Sequence, residues 1–233
     1  MSSADVHREM HKSGSTLRDF ILGGQDGLVN VLGIILGVAT AVQDARIVII
    51  AGIAATFAES ISMAAVAYTS FKASRDFYKS EKEREMKEIR ELPHVERKEI
   101  RDIYYRKGFR GAPLKKIVDK ITSDKKVWLD TMMTEELHVS PEDSENPTKS
   151  AFVVGFSAII GSLIPLLPFF FIPIKDAIIV SVIISTITLF IAGSVKAKMT
   201  LGTWWKSGIE MSLVGMAAAL TGFLIGSLLG VWV

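Results

Sequence analysis

Cysteine is absent from the 233-residue chain, which excludes a disulfide framework and any thiolate metal site. No phosphate-binding glycine loop, H-E-x-x-H motif or Ser-His-Asp set is present, so an enzyme would lack recognisable machinery. The net charge is only +2 and basic residues are interleaved with acids, which gives nucleic-acid binding no support. Charge is also scarce along most of the chain. Outside residues 72–150 there are eight Lys/Arg and eight Asp/Glu, against nineteen and seventeen inside that segment. With 49% hydrophobic residues in all, the sequence reads as two membrane blocks around a polar insert.

A helix needs roughly 20 predominantly apolar residues to cross a bilayer. Five runs meet or approach this: about 20–42, 47–71, 151–173, 177–195 and 208–233. The first is too long for a cleaved signal peptide and contains Asp26 and Asn30, so it reads as a retained span. The expected fold is therefore an all-α membrane protein of five transmembrane helices, with a helical insert between the second and third. Basic residues precede the first span (His7, Arg8, His11, Lys12, Arg18) and separate the fourth from the fifth (Lys196, Lys198, Lys206). The links at 43–46 and 174–176 carry almost none. Positive-inside logic puts the N-terminus and the insert in the cytoplasm and the C-terminus outside. The minimal extensions point to the plasma membrane of a prokaryote.

Polar residues inside the spans are the first candidates for function. Charge at mid-bilayer is costly and turns toward a bundle interior or an aqueous cavity. Glu59 lies within the second span, and Met63 follows four residues later on the same helical face. Asp26 lies in a Gly-Gly-Gln-Asp-Gly run of the first span, where the glycines permit close helix approach. Asp26, Glu59 and Met63 together could line one polar path; the plain alternative is a helix-capping Asp26 and a space-filling Met63. Glycines 33 and 37 of the first span and 222, 226 and 230 of the last offer small-residue faces, for packing within one subunit or between two.

The insert holds a second set of carboxylates. A helix over about 73–92, ending near Pro93, places Glu81, Glu85 and Glu88 on one face. The next helix, to about Arg106, repeats the spacing with Glu96 and Glu99, and a later element sets Met132 and Met133 four and three residues before Glu136. Oxygen donors with two thioethers suit ferrous iron or manganese better than calcium or magnesium. The plain alternative is a solvated face of i,i+4 ion pairs.

Several ordered motifs resemble those of the vacuolar iron transporter family: Asp26-Gly-Leu-Val, Ala51-Gly-Ile-Ala, Ser62-Met63, Trp128-Leu-Asp-Thr-Met-Met-Thr-Glu-Glu-Leu137 and Gly161-Ser-Leu-Ile-Pro-Leu-Leu-Pro168. The similarity runs from about Leu17 to the C-terminus. It implies a homodimer of five-helix subunits that moves ferrous iron out of the cytosol in exchange for protons, with the insert as a cytoplasmic metal-binding domain. It implies further that Asp26 and Met63 are pathway ligands, and that Glu85, Glu88, Glu96, Glu99, Met132, Met133 and Glu136 bind metal. One position departs: the plant-type pattern has an acid directly after Ala-Gly-Ile-Ala, and here that residue is Ala55. Either Glu59, about one turn on, takes its role, or the coupling to protons differs. A membrane-anchored metal sensor or buffer is the competing class; it needs the insert but not Asp26 and Glu59.

Overall fold

The computed structural model describes residues 3–42, 44–139, 146–199 and 202–230, with side chains from Thr16 onward except that of Met199. Gln43 of the first link, residues 140–145 of the insert, residues 231–233 of the last span and the side chains of His7, Arg8, His11 and Lys12 lie outside that description. All regular structure among the described residues is helical. In chain order the helices are α1 (Ser3–Val42), α2 (Ala45–Glu91), α3 (Pro93–Arg106), α4 (Gly111–Thr122), α5 (Lys125–Glu135), α6 (Pro147–Leu166), α7 (Ile174–Met199) and α8 (Trp204–Gly230). A 3-10 turn at Leu167–Phe170 follows α6.

Among the described residues five helices are long and apolar enough to cross a membrane: α1 from Thr16, α2, α6 with its 3-10 extension, α7 and α8. Helix α1 begins far before the first apolar run, because backbone hydrogen bonding needs no apolar side chains whereas residence in lipid does. The chain divides into two compact units, residues 1–68 with 148–233, and residues 69–147. Helix α2 gives its apolar first half to one unit and its charged second half to the other.

In the membrane unit α1, α7 and α8 pack on one another through buried Leu28, Leu32, Leu36, Leu189, Met211 and Ala219. Contact between α1 and α8 is backbone to backbone. A Cβ added at Gly222 would lie 2.0 Å from the Gly33 carbonyl oxygen, and one at Gly226 2.1 Å from that of Gly37. These glycines therefore pack within one subunit. Gly222→Ala is expected to cost about 1–3 kcal/mol through forced separation of α1 and α8, read as a lower unfolding temperature in detergent; an unchanged temperature would contradict this packing.

The prolines end the third span. Pro165 lies inside α6, Pro168 in the 3-10 turn and Pro173 just before α7. Bonding of the 3-10 type to the Pro165 carbonyl would need an N–H from residue 168, which proline lacks. The buried Ser181 hydroxyl of α7 donates to that carbonyl at 2.7 Å, which satisfies it where no lipid group can.

The second unit has its own apolar core, formed by Ile89, Ile100, Leu114, Val118, Ile121, Trp128, Leu129, Met132 and Met133. It joins the end of α2 to α3, α4 and α5.

Candidate metal centre

Proline sets the corner on which the centre is built. The residue before a proline is driven from helical geometry, and Leu92 sits at φ −128°, ψ 45° between α2 and Pro93. The chain turns there, so the last carboxylates of α2 meet the first of α3. Glu85, Glu88 and Glu96 bring ligand oxygens within 4.8 Å of one another, and Glu96, Glu99 and Glu136 do the same. Glu96 belongs to both groups. Glu136 arrives from the far end of the unit, as the C-terminal cap of α5, its N–H bonded to the Met132 carbonyl at 3.0 Å.

Glu85 and Glu96 are only 2% and 4% exposed. Glu85 Oε1 and Glu96 Oε2 have no hydrogen-bond partner among the described residues. Buried carboxylate oxygens without a donor are unusual, and the crowding of these acids compounds the cost. A divalent cation shared by these oxygens removes both penalties, so the donor set fits a hard or borderline metal. Glu81, on the same face of α2, is instead held by Arg84 at 2.7 Å. Met132 and Met133 are buried in the core of this unit, on the helix that delivers Glu136.

Metal-free, these acids hold their protons unusually well. The Glu85 carboxyl rises from 4.5 to about 8, through burial first and then the hydrogen bond and charge of Glu96. Burial also raises Glu96, reinforced by the charges of Glu99 and Glu88, although its bond with Glu85 works the other way. The Glu136 carboxyl rises to about 7, by loss of water around it and then by the charges of Glu99 and Glu96. A metal must displace these protons. Apparent affinity is thus expected to climb between pH 6 and 8 by about tenfold per pH unit for each proton displaced. Calorimetry in buffers of different ionisation heat would read the released protons, and a pH-independent affinity would refute the assignment. The same shifts make the metal-free unit lose stability as pH rises from 4.5 toward 8, because the unfolded chain gives up these protons first.

A separate polar group lies in the membrane unit. The Glu59 carboxyl lies near Asp26 and Asn30, and Asn30 Nδ2 donates to Asp26 Oδ2 at 3.3 Å. Met63 lies one turn beyond Glu59 on α2 and is half-buried. Ala55 packs instead against the apolar cluster of Val31, Ile35, Ala39 and Val48. The acid of α2 that meets α1 is therefore Glu59.

Two further polar residues stand out beyond those singled out from sequence. Asn30 is one; its i,i+4 spacing from Asp26 was the available signal. The other is Asp19, 2% exposed, seven residues before Asp26 on α1 and 3.4 Å from Arg18 Nη2. His138 is exposed, with φ 54° and its ring nitrogen 3.3 Å from the Thr134 carbonyl.

The profile of the VIT family matches residues 17–227. A vacuolar iron transporter 1 of Eucalyptus grandis is 34% identical, covering 94% of this chain and 89% of its own. One from Arabidopsis thaliana is 33% identical over 95% and 89%. The vacuolar iron transporter of Plasmodium falciparum is 34% identical over 97% and 86%. These relatives are eukaryotic and named for a vacuole, and lend no support to the expectation of a prokaryotic plasma membrane. Five apolar spans, a separate helical unit after the second and a profile match across nearly all of the sequence agree: this chain is a multi-pass membrane protein of the VIT family.

Proposed function

We propose that the protein exports ferrous iron from the cytosol as a homodimer, in exchange for protons, with residues 72–150 forming a cytoplasmic metal-binding domain. The observation that carries this reading is the pair of carboxylate groups joined at buried Glu96. The names of the relatives support iron as cargo. In this reading Glu85, Glu88, Glu96, Glu99 and Glu136 concentrate the cation, and Met132 and Met133 add soft donors that favour a transition metal over calcium or magnesium.

Asp26, Glu59 and Met63 form the transport path. Two carboxyl groups that share a site share either a proton or a cation, so loading the metal expels protons and its release readmits them. That competition is the physical basis of antiport. Met63 supplies a ligand without further negative charge, which keeps release feasible. Asp26 and Glu59 are only half-buried and Asn30 is exposed on a single subunit; in a bilayer that face calls for a polar cover, which a second copy provides.

Purified protein in liposomes with an internal metal-sensitive dye, supplied with ferrous iron or manganese, tests the proposal. Dye quenching that needs the protein, faster with iron, is the expected result. Binding without entry would replace the transporter by a sensor or buffer, and faster manganese entry would change the cargo.

A further inference from the structure

The side of α3 away from its glutamates presents the opposite charge. A cleft of about 480 Å³ between α3 and α4 is lined by Arg97, Lys98, Arg101 and Lys115, with Leu114 and Val118 at its apolar base. His94 and Gly111 complete its wall, and no acidic residue lines it among the described residues. This is unusual for the unit, since residues 72–150 carry nineteen bases against seventeen acids.

Exposed bases normally find acids nearby, and Arg97 does: it bonds Asp119 and, at 2.6 Å, the Thr122 hydroxyl. Lys98, Arg101 and Lys115 have no ion pair or hydrogen bond among the described residues. Arg101 follows Lys98 by three residues, so both stand on one face of α3, while Lys115 approaches from α4. Helix α4 begins at Gly111, in the wall, and its N-terminal cap Arg110 makes no side-chain capping bond. The first amides of α4 thus add partial positive charge to the same wall. The volume lies within the range of small-molecule sites.

We propose that this cleft binds a polyvalent phosphate anion, with Lys98, Arg101 and Lys115 as its charge partners and Leu114 and Val118 supporting the less polar part. The phosphate comes either from a free phosphorylated small molecule or from a phosphorylated lipid headgroup. Convergent cations with an uncapped helix start favour phosphoryl oxygens. The site is independent of the carboxylate groups and of the transport reading.

The test uses the full-length protein in phosphatidylcholine nanodiscs, titrated calorimetrically with inorganic pyrophosphate. Two variants are compared with it: Lys98→Gln/Arg101→Gln/Lys115→Gln in the cleft, and Lys120→Gln/Lys125→Gln/Lys126→Gln outside it, which removes equal charge. Saturable binding by the native protein and the outside variant, weakened about tenfold or more in the cleft variant, is expected. Absence of saturable binding, or equal weakening in both variants, would overturn the proposal. Retained manganese binding by the cleft variant shows that it is folded; if that is lost, single Lys98→Gln and Lys115→Gln variants decide the point by the same criterion. Repeating the titration in discs containing phosphatidylinositol phosphate separates the sources. Loss of the pyrophosphate signal there assigns the site to the headgroup, and its persistence assigns it to a free phosphate.

Discussion

Asp26→Asn is expected to lower ferrous iron flux into liposomes by about a hundredfold or more, while metal binding by the second unit stays within about twofold of native. The neutral amide keeps the size of Asp26 and its contact with Asn30 but cannot exchange a proton for a cation. Glu59→Gln should behave alike, since the two carboxyls lie near each other. Moving the acid, as Glu59→Gln with Ala55→Glu, should not restore flux. Residue 55 packs against the cluster of Val31, Ile35, Ala39 and Val48, where a charge meets apolar side chains instead of Asp26. Flux assays paired with equilibrium binding check all three variants. Native flux in Asp26→Asn would remove this group from the path.

Glu96→Gln should have the largest effect on metal binding of any change in the second unit, because Glu96 alone belongs to both carboxylate groups. The predicted loss is about a hundredfold in affinity, against a smaller one for Glu88→Gln, which touches one group and leans toward Arg84 at 3.9 Å. The metal-free protein should respond in the opposite sense. Removing one buried charge relieves repulsion by Glu85, Glu88 and Glu99, so Glu96→Gln should raise the melting temperature at pH 8 and change it less at pH 5, where Glu85 holds its proton. Tighter metal-free folding together with weaker binding is the signature of a site held in tension for a cation. A fall in both would mark Glu96 as an ordinary structural residue.

The five spans were legible because a run of some twenty apolar residues is the strongest pattern a sequence carries. The break at Pro93 was legible for a steric reason that acts on neighbouring residues alone. What spacing could not give was the choice among residues sharing a face. Glu81, Glu85 and Glu88 are equivalent by periodicity, yet Arg84 takes Glu81 away and burial selects Glu85. The meeting of Glu59 with Asp26 depends on how α1 and α2 are rotated against each other, which no one-helix pattern encodes. The α1–α8 glycines were equally ambiguous until the carbonyls of Gly33 and Gly37 were seen to face Gly222 and Gly226. For Met132 and Met133 the spacing from Glu136 and the demands of the core point to the same positions. Asp19 stands beside Arg18 ahead of the first apolar run, and only its burial distinguishes it.

The most direct test of iron-for-proton exchange follows an internal iron dye and an internal pH probe together, in liposomes holding the native protein or Glu59→Gln. The native protein should admit ferrous iron while protons leave, faster when the interior is the more acidic side, and Glu59→Gln should show neither signal. Iron entry with no proton movement, or equal exchange in the Glu59 variant, would contradict the account.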